Sequence, residues 1–266
     1  MLKTNADILK VQFEQHVEHI HGLDNQKNWD NISPLPKDFY RPTVEIIRKI
    51  QECAGRDIYV MPTVYSAYQV ARQSLRDENI AKAAVERPDD LKRVLGYYLN
   101  SLEWFVKECK KTGIESFYMT TQGGEMKYNS IPGFFEEIIK PLDLQLMNLC
   151  QQDSKLTILH ICDWEGDYDN LNKYIDYPGD IVNTPLHLDG KPFTLRDGEK
   201  LFGRPVLGGL EKEGIIVKES TDRVTKVVHE IIANAPEGRL MIGADCTVSA
   251  APSENIHAAV KAAHQH

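Results

Sequence analysis

Residues Leu156–Cys162 have the sequence Leu-Thr-Ile-Leu-His-Ile-Cys, an apolar run with the length and composition of a buried parallel strand. Six more runs of this kind occur along the chain. They are Asp7–Phe13, Asp57–Val64, Ser116–Thr121, Ile181–Thr184, Pro205–Leu207 and Arg239–Gly243. Short apolar runs that alternate with longer helical patterns predict an α/β fold, in which helices cover a parallel sheet.

The segments between the runs carry the start and stop signals of helices. Pro88 opens a long helical pattern that Gly113 closes, the expected positions for these two residue types. Ser220 and Ser253 are predicted to cap the last two helices. The polar, proline-containing segment Asn25–Pro36 is predicted to be a long surface loop.

Composition narrows the class of protein. The chain has 266 residues, 42% hydrophobic and 26% charged, which is ordinary for a soluble globular protein, and no linker divides it. We therefore predict a single domain over residues 1–266. The net charge is −8 and no basic cluster is present, which argues against a nucleic-acid partner.

The same composition gives no sign of a membrane segment. No stretch approaches the ~18 consecutive apolar residues of a membrane span, and the first ten residues lack a signal-peptide core. The five cysteines are odd in number and widely spaced, as in a reducing compartment. The expected location is therefore cytoplasmic.

Candidate metal ligands lie at the ends of two strands, where parallel α/β folds place their chemistry. His160 and Cys162 are two residues apart, so in a strand both point to the same side. Cys246 follows the last run. One nitrogen and two sulfurs suit zinc and would leave a fourth position open, the catalytic arrangement. The alternative from spacing alone is that all three are core residues, since buried cysteine and histidine commonly pack as such.

Polar residues also follow other strands and are expected to line a pocket with these ligands. They are Glu14 after the first run, Tyr65 and Tyr68 after the second, Gln122 and Glu125 after the third, and Asn183 in the fifth. The alternative for Glu14 is a solvated residue at the start of the next helix.

Several motifs together resemble the uroporphyrinogen decarboxylase superfamily, which includes corrinoid-linked, zinc-dependent methyltransferases. The resemblance covers nearly the whole chain and is carried by Met61–Ser66, Thr121–Glu125, Ile158–Asp163, Gly203–Leu210, Leu240–Thr247 and Pro252–Ile256. It implies a TIM (β/α)8-type barrel. For the methyltransferase branch it also implies zinc on His160, Cys162 and Cys246.

The chain departs from the family pattern in two respects. The decarboxylase branch fits less well, because no aspartate ends the early strand and Cys246 stands where decarboxylases have a Gly-His-Gly turn. Seven runs are visible where the family barrel has eight, and the first strand and helix are the ones that are missing. Such a gap would expose unpaired strand edges. We therefore expect a second copy to cover it in a homodimer, with Met1–Lys10 near the contact. The alternative is that the start is truncated and the natural protein supplies its own strand.

These observations lead to a hypothesis of thiol methylation. Zinc would bind a small thiol substrate as its thiolate, which would take a methyl group from a methylcorrinoid, with a corrinoid protein as a candidate partner, or from a similar donor. Glu125 and Asn183 are the predicted catalytic residues. Tyr65, Tyr68, Gln122 and Glu14 are predicted to contact the substrate.

Two alternatives stay open. A tetrapyrrole decarboxylase would need several carboxylate-binding groups, and Arg72 and Arg204 are the few candidates. A barrel without activity could instead retain zinc or a ligand in a purely binding role.

Overall fold

The computed structural model describes residues 5–13, 17–55, 58–236, 238–248 and 250–265. Its strands are β1 Ile8–Val11, β2 Tyr59–Val64, β3 Ser116–Thr121, β4 Leu156–Ile161, β5 Ile181–Asn183, β6 His187–Leu188, β7 Lys191–Pro192, β8 Val206–Leu210 and β9 Leu240–Ala244. Seven of them form one parallel sheet in the order β1-β2-β3-β4-β5-β8-β9. The predicted α/β class and the seven-stranded parallel sheet are confirmed.

The helices are α1 Gln26–Asp30, α2 Arg41–Ala54, α3 Ala67–Leu75, α4 Asp77–Glu86, α5 Pro88–Lys111, α6 Lys140–Gln151, α7 Leu195–Phe202, α8 Ile215–Lys218, α9 Thr221–Asn234 and α10 Ser253–Ala263. A π-helical segment, Phe134–Ile139, leads into α6. As predicted, α5 opens at Pro88, and it stops two residues before Gly113. None of the described helices has the length and apolar character that a bilayer crossing requires.

The two faces of the sheet pack differently. Alternate side chains of the strands form an inner cluster around Met61, Tyr118, Ile158 and Ile181. The side chains between them, such as Leu159, join the larger core under the helices. Consecutive strand residues point to opposite faces, so one face of the sheet carries the inner cluster. The sheet curls around that cluster and forms a partial barrel.

The sheet is open between its first and last strands. In the described residues, β1 pairs only with β2 and β9 only with β8. Side chains nevertheless cross this seam. Thr247 Oγ1 donates a hydrogen bond to Gln12 Oε1 at 2.9 Å, and His264 Nε2 lies 2.9 Å from Asp7 Oδ2. The seven strands agree with the predicted number, whereas the loss of a first strand stays a prediction.

Two local expectations were wrong. The segment Asn25–Pro36 contains the short helix α1, and Trp29 within it is buried and donates from Nε1 to the Leu23 carbonyl at 2.8 Å. Trp29, together with Ile32, therefore packs this polar segment onto the core. Ser220 does cap α9, but Ser253 occupies the first turn of α10 and makes no capping hydrogen bond.

Candidate metal centre

Strand β4 delivers the first two candidate ligands. His160 pairs in register with Thr120 on one side and Asn183 on the other, and its ring is buried. The Cys162 N–H donates to the Thr121 carbonyl at 3.1 Å, so strand pairing continues one residue beyond β4. This extended backbone keeps Cys162 on the side of the strand that His160 occupies.

Cys246, the third candidate ligand, lies just after the end of β9. The Asp245 N–H donates to the Leu210 carbonyl at 2.9 Å, which prolongs the pairing of β9 with β8 up to Cys246. The sulfurs of Cys162 and Cys246 lie 3.8 Å apart although β5 and β8 separate their strands, which is a direct consequence of the curl. The ligand atoms of His160, Cys162 and Cys246 all lie within 4.8 Å of one another.

The pKa values of the two buried thiols are shifted in opposite directions. A hydrogen bond from Cys162 holds the pKa of Cys246 well below its ordinary value, with further help from His160 and the Thr247 N–H, although burial opposes this. The same hydrogen bond, together with burial, raises the pKa of Cys162. The thiolate is the form in which cysteine binds metals, so the lowered pKa of Cys246 favours its role as a ligand.

The donor set fits a metal ion. His160 Nδ1 is buried and has no hydrogen-bond partner among the described residues. A buried polar atom without a partner is costly, and coordination of the ring would reduce that cost. One imidazole with two sulfurs is a set that zinc prefers.

Neighbouring groups support the ligands. Gln122 Nε2 lies 3.4 Å from Cys162 Sγ. Lys212 links the residues next to the two cysteines, because its N–H donates to Asp245 Oδ1 at 2.7 Å and its Nζ donates to Asp163 Oδ1 at 2.9 Å. The loop after β8 therefore holds both ligand-bearing strand ends in place.

Asn183 belongs to the same interior. Its Oδ1 accepts a hydrogen bond from the Tyr118 hydroxyl at 2.7 Å, and its Nδ2 donates to the carbonyls of Leu207 and Ala244 at 2.8 and 3.1 Å. The Tyr118 ring lies 5.3 Å from the His160 ring, measured between centroids. Asn183 thus ties four strands together beside the candidate ligand.

The contacts of Glu125, Tyr68 and Tyr65 are with residues other than the three donors. Glu125 is buried and accepts a hydrogen bond from the Gly123 N–H at 2.6 Å. The Tyr68 hydroxyl lies 2.6 Å from the Tyr128 hydroxyl, within the helix-side core. Tyr65 is half-buried and packs edge-on against Phe13. Glu14 lies outside the described residues.

Tyr118 and Lys10 also face the inside of the curled sheet, and neither was predicted from the sequence as a site residue. Lys10 Nζ lies 4.4 Å from the centroid of the Tyr118 ring. The sequence did carry a signal, since Lys10 lies between the apolar residues Leu9 and Val11, and lysine is rarely buried unless it is paired.

Comparisons with known proteins support the fold. No protein-family model and no curated protein matches the sequence. A methyltransferase from Methanosarcina mazei superposes with a TM-score of 0.70 at 18% identity, over 87% of this chain and 67% of that one. A B12-independent methionine synthase from Shewanella sp. W3-18-1 gives 0.55 at 12% identity, over 84% and 66% of the two chains. A putative B12-independent methionine synthase from Listeria monocytogenes gives 0.53 at 12%, over 84% and 69%.

At these identities the likeness is one of fold. The chain spans about two thirds of the length of each of these structures. The family resemblance seen in the motifs therefore stays an expectation.

Proposed function

We propose that the protein is a zinc-dependent methyltransferase that methylates a small thiol, with a methylcorrinoid or a similar compound as donor. The observation that carries this proposal is the convergence of His160, Cys162 and Cys246, whose ligand atoms lie within 4.8 Å of one another. The shared fold with a methyltransferase and two methionine synthases, the putative one included, supports it.

Zinc held by these three residues would supply a Lewis acid whose open position accepts a thiol and favours its thiolate form. The thiol would release its proton to solvent, its sulfur would form a bond to the methyl carbon, and the bond between that carbon and the donor would break with its electron pair remaining on the donor. The residues of the chain contribute a dry environment. The three ligand residues are buried, so little water competes for the methyl group.

We assign positioning roles to two of the predicted residues. Gln122 contacts Cys162 Sγ through Nε2, and its Oε1 has no partner among the described residues, so that oxygen is available to a ligand. The amide of Asn183 already forms hydrogen bonds with Tyr118, Leu207 and Ala244. Its effect on the site would therefore be indirect, through the positions of these three residues.

Glu125 remains our candidate for orienting the substrate. Its Oε1 is buried with no hydrogen-bond partner in the described part of the chain, and burial raises its pKa. Tyr65, Tyr68 and Glu14 remain candidates for contacting the thiol or the methyl donor.

The decarboxylase alternative finds little support in the arginines. Arg204 Nη1 donates to the carbonyls of Tyr177 and Gly179 at 2.9 and 2.6 Å, a structural role. Arg72 pairs with Glu165 at 2.9 Å. Arg72 and Nη1 of Arg204 are thus engaged within the protein, whereas Arg204 Nη2 is buried without a partner among the described residues.

X-ray absorption at the zinc edge tests the proposal. Purified protein is expected to show two sulfur ligands, and a third when mercaptoethanol is added. A coordination shell that does not change on adding thiol would contradict the proposal and favour a closed, structural zinc site.

A second measurement follows the reaction itself. With methylcobalamin and mercaptoethanol, the zinc-loaded protein is expected to convert the corrinoid spectrum to that of the demethylated form. Cys246→Ser should not do so. Cys53→Ser is the matched control, because Cys53 is exposed on α2.

A further inference from the structure

Backbone pairing between β3 and β4 ends at Cys162 because a side chain takes the next backbone donor. The Cys162 N–H donates to the Thr121 carbonyl at 3.1 Å. In the same parallel register, the next bond would run from the Gly123 N–H to the Cys162 carbonyl. The Gly123 N–H donates instead to Glu125 Oε2 at 2.6 Å. The carboxyl group of Glu125 thus ends the ladder at the carbonyl of a candidate metal ligand.

The hydroxyl of Tyr168 takes the place of that missing donor. It donates to the Cys162 carbonyl at 2.8 Å. The Tyr168 side chain is fully buried and belongs to the helix-side core. Cys162 is buried as well, and a buried carbonyl that loses its donor is costly. The end of β4 therefore depends on a side chain for the hydrogen bond that a neighbouring strand would normally supply.

Tyr168 is itself anchored from outside β4. Its carbonyl accepts a hydrogen bond at 2.9 Å from the N–H of Asp189, which lies in the turn between β6 and β7. The carbonyl of the preceding residue, Asp167, accepts a hydrogen bond from the Met126 N–H at 2.8 Å. The Tyr168 ring packs edge-on against Tyr174, with 5.9 Å between centroids. A donor held by these contacts can keep the end of β4 in one place.

The two backbone bonds of Cys162 together set the direction of its side chain. The bond to Thr121 fixes the peptide plane before Cys162, and the bond from Tyr168 fixes the plane after it. Because peptide units are planar, these two planes determine where the Cβ atom points. A rotation of either plane would move the sulfur relative to His160 and Cys246, with which it forms the candidate metal site.

We infer that Tyr168 is a positioning residue whose hydroxyl holds the Cys162 carbonyl so that the Cys162 sulfur meets the metal ion. This inference rests on the proposed function, because it requires a metal ion on the three candidate ligands. Tyr168 acts through Cys162 and needs no contact with the substrate. Glu125 contributes to the same arrangement, since it withdraws the Gly123 N–H from the ladder.

Metal binding by Tyr168→Phe tests the inference, because this substitution removes one hydroxyl and keeps the ring. Competition with a chromophoric chelator is expected to show roughly tenfold weaker zinc binding, since lost contacts to metal ligands commonly cost ~10–100-fold. Co²⁺ provides a second readout. The thiolate-to-cobalt charge-transfer absorption of the Co²⁺-loaded variant should differ from that of the unmodified protein, because the geometry at one sulfur has changed.

Tyr177→Phe is the matched control. The Tyr177 hydroxyl is similarly buried and donates to Asp143 Oδ2 at 3.2 Å, so the variant loses a buried hydrogen bond to a residue that is not a candidate ligand. Both substitutions should lower the urea midpoint. Only Tyr168→Phe should also change the zinc affinity and the cobalt spectrum. If Tyr168→Phe lowers the midpoint alone, the tyrosine is purely structural and the inference is overturned.

A conservative replacement tests the hydrogen bond itself. Incorporation of 4-aminophenylalanine at position 168 retains a donor that is weaker than a phenol, so zinc affinity should fall between those of the unmodified protein and Tyr168→Phe. Should Tyr168→Phe fail to fold, this replacement decides the question, since an unchanged zinc affinity would contradict the inference.

The outcomes separate this inference from the proposed function. If the unmodified protein binds neither zinc nor Co²⁺, the proposed function fails. If it binds both, and Tyr168→Phe binds both with the same affinity and spectrum, only the role of Tyr168 is overturned.

Discussion

Cys246 is the residue whose replacement tests the metal centre most directly. Contacts with Cys162 and His160 lower the pKa of its thiol, which favours the thiolate form that binds metals. We expect Cys246→Ser to lower zinc affinity by roughly 100-fold or more, since loss of even an outer contact commonly costs 10–100-fold. Zinc content of the purified variant, measured by mass spectrometry, checks this. Zinc bound at full stoichiometry in Cys246→Ser would show that the sulfur is not a ligand.

Asp143 is a buried carboxyl group on α6 that should make stability depend on pH. Its Oδ2 accepts hydrogen bonds from Thr121 Oγ1 at 2.5 Å and the Tyr177 hydroxyl at 3.2 Å, while Oδ1 has no partner among the described residues. Burial raises its pKa to about 7, against roughly 3.9 in an unfolded chain. The folded protein therefore binds this proton more tightly than the unfolded chain does.

This pKa difference fixes the sign of the effect. The contribution of Asp143 to stability is present below about pH 4 and is lost as the pH rises toward 7. Asp143→Asn should remove this loss, so that urea midpoints of the variant fall less than those of the unmodified protein between pH 4 and pH 7. Parallel curves for the two proteins would show that Asp143 does not titrate in this range.

At the scale of elements, the start of α3 is fixed by a reciprocal cap. The Gln69 N–H donates to Ser66 Oγ at 3.2 Å, and the Ser66 N–H donates to Gln69 Oε1 at 2.9 Å. Gln69 Nε2 in turn donates to Thr120 Oγ1 on β3 at 3.1 Å, which ties the cap to the sheet. The loop after β2 is therefore held against the strand that precedes Gln122.

Ser66→Ala should destabilise the protein by about 1 kcal/mol, the typical cost of a lost N-cap. Ser253→Ala is the matched control. Ser253 is exposed and does not cap α10, so its replacement should leave the urea midpoint nearly unchanged. Equal effects of the two substitutions would show that the cap of α3 contributes little.

The strands of the main sheet were predictable because parallel strands buried on both faces form short apolar runs. The hairpin of β6 and β7 was not predicted, because its two-residue strands are too short to form a run. The sequence nevertheless contains the Asp-Gly pair that is typical of such a turn. Asp189 and Gly190 both have positive φ, 48° and 69°, as the Asp-Gly turn of a tight hairpin requires.

The site was predictable only in part. The period of a strand brings His160 and Cys162 together, but the distance from Cys162 to Cys246 depends on how far the sheet curls. Local sequence does not encode that curl, so the family resemblance was needed to join them. Lys10 and Tyr118 lie within strands, whereas parallel α/β folds place most of their chemistry at strand ends, so their positions in the sequence did not indicate a site.

At the scale of the whole molecule, the seam between β1 and β9 is the feature with the clearest consequence for assembly. Beside β1, an apolar groove of about 260 Å³ is lined by Leu9, Ile46, Lys49, Ile50, Cys53 and Ala54. Ile46 is 57% exposed and Tyr59 is 44% exposed. Apolar surface next to an unpaired strand edge favours contact with another chain.

We expect a homodimer formed around this seam, with the start of the chain near the contact. Sedimentation at micromolar concentration should give twice the mass of the chain, and Ile46→Glu should give a monomer. Val85→Glu is the control, because Val85 is equally apolar and 66% exposed on α4. A monomeric unmodified protein would contradict the prediction.

The candidate ligands are carried by β4 and β9, with β5 and β8 between them. This order affects when the site can form during folding. A chain that has formed only its first strands offers His160 and Cys162, too few donors for a tight zinc site. The set is completed when the last strand joins, which closes a loop between cysteines 84 positions apart. Closing such a loop costs entropy that rises with the logarithm of its length, and a bound ion would offset that cost. For the proposed zinc enzyme, metal uptake would then be a late step in folding, and zinc starvation would release the last strand first.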